Sequence, residues 1–260
     1  MSFVGERLGV RIMGAYVDAL SWEETLARIS SWAVARQSRY VCLCNVHSLA
    51  TGSEDSRFQQ AVNGADLAVA DGMPVALALR LAGFRGQPRI SGPDLFWQYC
   101  SLAAGAGQSI FLYGSTPQTI ARLTARLGSA FPDLRIAGAF SPPFRPLSAD
   151  EDDAITRMID DSGASVVFVG LGCPKQELWM AAQRGRIMAV MLGVGAAFDF
   201  HAGTLKRAPL WMQRFGVEWL HRLASEPGRL WRRYLVSNSK FLFHMALHRT
   251  SREARERRSA

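Results

Sequence analysis

Short apolar runs rich in β-branched residues alternate along the chain with longer stretches whose apolar positions recur every three or four residues. The short runs read as buried strands at residues 10–14, 40–44, 66–70, 109–113, 134–139, 166–169 and 187–192. The longer stretches read as helices. Ser21 with Glu24 three residues on makes a capping box for a helix to residue 35. Further helices are expected at 53–63, from Pro74 to 81, at 95–103, and from Pro117 to 127. Ser148 caps another, whose acidic first turn (Asp150 to Asp153) suits the positive end of a helix dipole. Strands alternating with helices predict an α/β fold, a Rossmann-like, mostly parallel, doubly wound sheet. After Gly195 no β pattern recurs. A helical region opens at Arg207-Ala208-Pro209, Pro227-Gly228 breaks it, and a last helix is expected over 229–248. On that helix Trp231, Tyr234, Leu235, Leu242 and Met245 fall on one face, and the polar residues beyond 249 are expected to fray. The chain thus divides into a body, 1–203, and a C-terminal helical appendage, 204–260.

The stretch 166–177, Val-Val-Phe-Val-Gly-Leu-Gly-Cys-Pro-Lys-Gln-Glu, holds the densest candidate chemistry. A strand ends at two glycines, and Pro174 then opens a helix that carries Lys175, Gln176 and Glu177 on its first turn. Such a turn presents backbone N–H groups to a phosphate, and it is equally the form of a plain strand-to-helix connection. Asp71 directly follows a strand and precedes Gly72, so it is the best candidate base for activating a hydroxyl. Position alone favours a cap for the helix that Pro74 begins. Asn45 and His47 follow another strand, as sugar or nucleotide contacts or as caps. Gly193-Val194-Gly195 ends the last strand and is open to a phosphate. The dinucleotide fingerprint GxGxxG follows no strand, which argues against a nicotinamide or flavin enzyme. Asp199, His201 and Arg207 lie where body meets appendage, with an Asp199–Arg207 ion pair as the plain reading.

Composition adds four points. The 260 residues, 48% of them hydrophobic, suit one large domain with an appendage. The start of the chain has no apolar leader segment and the longest nearly apolar run, 187–198, is too short to span a bilayer, so a cytoplasmic protein is expected. Cys42, Cys44, Cys100 and Cys173 form no CxxC pair, which speaks for reduced thiols and no metal site. The net charge of +8 is unevenly placed. Residues 204–260 hold 13 Lys or Arg and 4 Asp or Glu, against 17 and 18 in the body. A basic appendage interleaved with Trp211, Trp219 and Trp231 points to an anionic partner, and an interfacial membrane helix is the preferred form.

Several ordered stretches together resemble the WecG/TagA/CpsF glycosyltransferases, glycosyltransferase family 26. They are Ala70-Asp71-Gly72, Ser91-Gly92-Pro93-Asp94-Leu95, Phe111-Leu112-Tyr113-Gly114, Gly170 to Glu177, Gly193 to Phe200, and Arg207-Ala208-Pro209 through Glu218-Trp219-Leu220, closed by Glu226-Pro227 and Arg232-Arg233-Tyr234. The resemblance implies an inverting transferase that moves a hexose from a UDP-sugar to a polyprenyl-diphosphate-linked sugar at the inner face of the cytoplasmic membrane. N-acetylmannosamine is the family's best-known cargo, with glucose or a uronic acid as alternatives. The family's base matches Asp71, and its sugar- or nucleotide-contacting Gln matches Gln176. The appendage arginines fall near Arg214 and Arg222. The implied substrate contacts are Asn45, Gly72, Asp94, Gly172, Lys175, Gln176, Glu177, Gly195, Arg207, Arg214 and Arg222. In place of the family's Thr-x-Asn the chain has Leu43-Cys44-Asn45. The one Asp-x-Asp spacing, Asp150-Glu151-Asp152, lies on the acidic start of a surface helix, where the carboxylates are expected to be solvated, so the reading needs neither metal nor cofactor. The partners are then a UDP-sugar donor, a lipid-diphosphate-linked acceptor and an anionic membrane, with no nucleic acid and a homo-oligomer left open. The rival from another class is a non-catalytic membrane- or nucleic-acid-binding protein that uses the basic tail.

Overall fold

The computed structural model describes residues 7–258, except the side chains of Arg214, Arg229 and residues 248–258. The first half of the chain holds β1 (Gly9–Ile12), β2 (Ala15–Asp18), α1 (Trp22–Val34), β3 (Arg39–Cys44), α2 (Val46–Gly52), α3 (Ser56–Asn63), β4 (Leu67–Ala70), α4 (Met73–Leu81) and α5 (Gly92–Gly105). There follow β5 (Ser109–Gly114), α6 (Pro117–Ala130), β6 (Arg135–Phe140), α7 (Ala149–Asp161), β7 (Val166–Gly170), α8 (Lys175–Gln183) and β8 (Val190–Gly193). Helices α9 (Ala197–Ala202), α10 (Leu210–Arg214), α11 (Glu218–Ser225) and α12 (Pro227–Arg258) complete the chain. The expected α/β architecture is present: one eight-stranded sheet in the order β1-β2-β4-β3-β8-β7-β5-β6, parallel except for the β1–β2 hairpin. Each sheet face has its own apolar core. Cys42, Cys44, Val167 and Met191 face one, and Val41, Leu43, Phe168 and Leu192 face the other, as the period-2 alternation of a strand requires.

Four local expectations change. The run at 10–14 is the first arm of a hairpin, whose turn residues Met13 and Gly14 both have positive φ. A hairpin turn of that kind is usually marked by Asn-Gly or Asp-Gly. Here the turn is held from outside instead: Gln59 Nε2 donates to the Met13 carbonyl, and the Met13 N–H donates to His244 Nε2 of α12. The helix expected over 53–63 is α3, starting at Ser56, and an unexpected helix, α2, precedes it at Val46–Gly52. Asn45 caps α2 directly after β3 in a capping box with Ser48, and Asp55 caps α3 by accepting from the Arg57 and Phe58 N–H groups. Strand β8 starts at Val190 rather than 187, because Ile187 N–H still bonds the Gln183 carbonyl at the end of α8. Pro227 opens the last helix instead of breaking it, as suits a residue with no N–H to satisfy. That helix runs past 248, while the side chains at its far end lie outside the described residues.

The topology fixes where a ligand can sit. The helix after β3 packs on one face of the sheet, and α9, after β8, packs on the other, where it meets α5 and α6. Since β3 and β8 are neighbours, a crevice opens at the carboxyl ends between them. Asn45, Asp71, Ser115, the 171–174 turn and Gly195 all gather along that edge.

Candidate active site

Asp71 and Asn45 come from adjacent strands in register, Cys44 opposite Ala70. The Asp71 N–H bonds the Cys44 carbonyl at 2.9 Å, which carries the pairing one residue past the strand. Asn45 Nδ2 then donates to Asp71 Oδ2 at 3.3 Å. Asp71 does not cap the following helix: Gly72 holds that position, with φ 98°, and α4 has no side-chain cap. The reading that position alone favours is therefore overturned. The carboxylate lies at the floor of a recess, still reached by solvent. Burial raises its pKa from 3.8 to about 6, against the opposing pull of the Asn45 hydrogen bond and of Arg89 and Arg222. A carboxylate with a pKa near 6 is ionised at neutral pH yet basic enough to take a proton.

The appendage closes over this recess. A Cβ on Gly216 would stand 2.6 Å from Met73 Cβ, so the α10–α11 turn touches the chain just past Asp71 and only glycine fits there. Four charged side chains join the two parts. Arg207 grips Asp94 with both terminal nitrogens (2.6 and 2.8 Å), and Arg89 reaches Glu218 at 2.8 Å and Asp94 at 3.4 Å. Arg207 Nε faces Glu218 Oε1 at 3.5 Å, which closes the ring. Ser91, the cap of α5, hydrogen-bonds Asp94 as well. Asp94 and Arg207 thus engage each other, and Asp199 is not Arg207's partner. Asp199 instead accepts from the Ser115, Thr119 and Thr204 hydroxyls. His201 bonds the Pro93 carbonyl at 2.8 Å and stacks on Trp97. Arg222 and Arg233 each keep a buried Nε with no hydrogen-bond partner, Arg222 beside the Phe200 ring. Unpaired guanidinium edges in a recess are suited to an anion's oxygens. The Arg214 side chain lies outside the described residues.

The turn after β7 differs from an open phosphate cradle. Gln176 Oε1 accepts from the N–H groups of both Gly172 (3.2 Å) and Gly195 (3.1 Å), so those amides already have partners. Glu177 points inward, 2% exposed, among the thiols of Cys42, Cys44 and Cys173. Its expected place as a substrate contact gives way to an interior one. Only Lys175 of that first turn faces outward. His47 lies half-buried against Ser237 of α12, and burial together with Arg233 pushes its pKa down to about 4, so it is neutral at ordinary pH.

A model of the glycosyl transferase WecG/TagA/CpsF family matches residues 10–255, nearly the whole chain. The chain belongs to this family. It is therefore a glycosyltransferase, from a family of cell-surface polysaccharide synthesis, and the recess belongs to an enzyme that joins a sugar to an acceptor. Beside the recess, past β8, this glycosyltransferase has a cleft of about 330 Å³ at the ends of β5 and β7. Trp179, Phe144, Pro142 and Leu171 line it with apolar surface, and its charged lining is Lys175, Asp152 and Arg145, the last paired with Glu151. Among the described residues no group of three or more His, Cys, Asp or Glu side chains is arranged around a metal position. Arg89, Glu218 and Arg233 were not singled out from the sequence as site residues. Glu218 and Arg233 lie in stretches that carry the family resemblance, but each of the three acquires its place only when the appendage folds back.

Proposed function

We propose that the enzyme transfers a hexose, N-acetylmannosamine or a related sugar, from a UDP-sugar to a polyprenyl-diphosphate-linked acceptor, with inversion. The reading rests on one observation above the others: a carboxylate with a pKa of about 6, held by Asn45 in a recess that arginines line. Asp71 takes the proton of the attacking acceptor hydroxyl as the new glycosidic bond forms and the bond to UDP breaks. The negative charge that grows on the departing diphosphate falls to Arg222 and Arg233, whose Nε groups have no hydrogen-bond partner among the described residues. The nucleoside takes the cleft lined by Trp179 and Phe144. Three strand spacings separate β7 from β4 in the sheet order, about 14 Å, so a nucleotide-linked sugar laid across the carboxyl edge reaches Asp71. Body and appendage, divided near residue 204, act together: the first holds the donor and the base, the second completes the diphosphate site.

The acceptor's lipid implies a membrane. No helix among the described residues is long and apolar enough to cross one. The appendage is suited to lie on a surface instead, at the inner face of the cytoplasmic membrane, through the basic surplus of residues 204–260 and a set of outward apolar side chains.

The test is Asp71→Asn. The neutral amide keeps the shape and the neighbour Asn45 but cannot accept a proton. UDP release in the presence of a lipid-diphosphate sugar is expected to fall by about 10²–10⁴, with donor binding kept. Turnover within a few-fold of wild type would remove Asp71 from the role of base.

A further inference from the structure

The side chain that binds the two glycine turns together is itself held by a residue with no contact to solvent. Gln176 Oε1 accepts two hydrogen bonds, from the N–H of Gly172 in the β7 turn and of Gly195 in the β8 turn. Its Nε2 points the other way and donates to Glu177 Oε1 at 3.0 Å. Gly193 makes room for that amide: a Cβ there would lie 3.0 Å from Gln176 Nε2 and 2.7 Å from Met180 Cε. An amide has one accepting and one donating end, and two N–H groups on one side with a carboxylate on the other permit a single orientation. Reversed, the NH₂ would face two N–H donors and the oxygen would face a carboxylate.

We infer that Glu177 is a positioning residue, which fixes the orientation of the Gln176 amide so that the β7 and β8 turns are locked together under the donor. Glu177 touches no substrate. Its second oxygen, Oε2, is buried with no partner, a costly arrangement in a core and one that packing alone does not call for. An apolar side chain of the same length would fill the space as well, but it would leave Nε2 without an acceptor in a dry site. Gln176 would then turn away to find one and release both glycine amides. Burial raises the Glu177 pKa to about 7, so near neutrality the acid is partly protonated, and its bonded oxygen accepts in either form. The two turns stand between Asp71 and the Trp179 cleft, so a slip of either one displaces the diphosphate path before it disturbs the base.

Two variants and an exchange of partners test this. Glu177→Met is expected to raise the donor KM about tenfold while kcat stays within about threefold, the pattern of lost ground-state positioning. Hydrogen exchange of a peptide spanning 170–174 should quicken in the same protein. Gln176→Glu sets two carboxyl groups against each other and should do the same. The double variant Q176E/E177Q restores a donor facing an acceptor, and it keeps an oxygen for the two glycine N–H groups. It is expected to recover slow exchange at 170–174. If the double variant exchanges as fast at 170–174 as Q176E, or if Glu177→Met leaves exchange there unchanged, Glu177 does not position Gln176. Should Glu177→Met not fold, the partner exchange decides alone. The KM arm rests on a UDP-sugar being the donor, and a wild type without saturable UDP-sugar dependence would count against that reading. The exchange arm needs no substrate and would still test the lock.

Discussion

At Asp71 the environment sets a pH dependence. Its pKa is raised, so the folded protein holds this proton more tightly than the unfolded chain. Two consequences follow with opposite signs. In the proposed role Asp71 must be ionised, so kcat/KM should fall as pH drops through about 6, and the limb should vanish in Asp71→Asn. Stability runs the other way: the contribution of this residue is lost as pH rises from about 4 to about 6, so Asp71→Asn should melt higher than wild type at pH 8 and equally at pH 3.5. A profile whose acid limb survives the substitution would assign that limb to another group. Asp71 was legible because it stands alone between a strand and a glycine. Asn45 was legible for the same reason, although its two tasks were not: it caps α2 in a box with Ser48 and donates to Asp71. Glu177 was misplaced, since its first-turn position says nothing about which way the side chain points when the helix start is itself buried.

At the scale of elements, the ring of Arg89, Asp94, Arg207 and Glu218 ties α5 to α11. All four side chains are partly buried, at 14–32% exposure, so the ring is less open to screening than a surface pair. Replacing Arg207 with Gln leaves Asp94 and Glu218 close together without one of their two cations. The appendage should loosen by about 1–3 kcal/mol, seen as faster proteolysis around 204–225 and a lower kcat/KM, with the body's own exchange pattern kept. Unchanged proteolysis would mean that Gly216 against Met73 holds the closure without the ring. The central strands and most of the helices could be read from periodicity. The β1–β2 hairpin could not, because its Met13-Gly14 turn is stabilised by Gln59 and His244, partners 46 and 231 residues away. Likewise α2 follows β3 with no spacer, so its start was hidden inside the strand's end.

Over the whole molecule the apolar surface is as uneven as the charge. Of the 17 large hydrophobic side chains exposed among the described residues, ten lie between Leu210 and Leu247. The single face expected on the last helix divides in two. Trp231, Leu235 and Leu242 point outward, whereas Tyr234 and Met245 turn inward beside the buried Leu230, Ser237 and Phe241. Inward contacts brace α2 through Ser237 and His47, so cutting the helix would disturb the body as well as any docking. Substitution separates the two. Leu235→Glu with Leu242→Glu should cut binding to anionic vesicles at least about tenfold, since each removes apolar insertion and adds repulsion. Transfer to a water-soluble acceptor should stay near wild type. Equal vesicle binding by the variant would make the outward face something other than a membrane surface.

The position of β8 in the sheet has a consequence for how the protein is made. This strand is the last to leave the ribosome, yet within the sheet it lies between β3 and β7 and joins the β1-β2-β4-β3 half to the β7-β5-β6 half. Until residues 190–193 arrive, each half ends in an unpaired strand of apolar residues, a hazard for mispairing. The crevice lies at that same seam, so the site forms only in a nearly finished chain. A chain stopped at residue 186 should remain protease-sensitive at β3 and β7, and one extended to 203 should become resistant in both halves at once. Resistance of the shorter chain would show that the halves close without their middle strand.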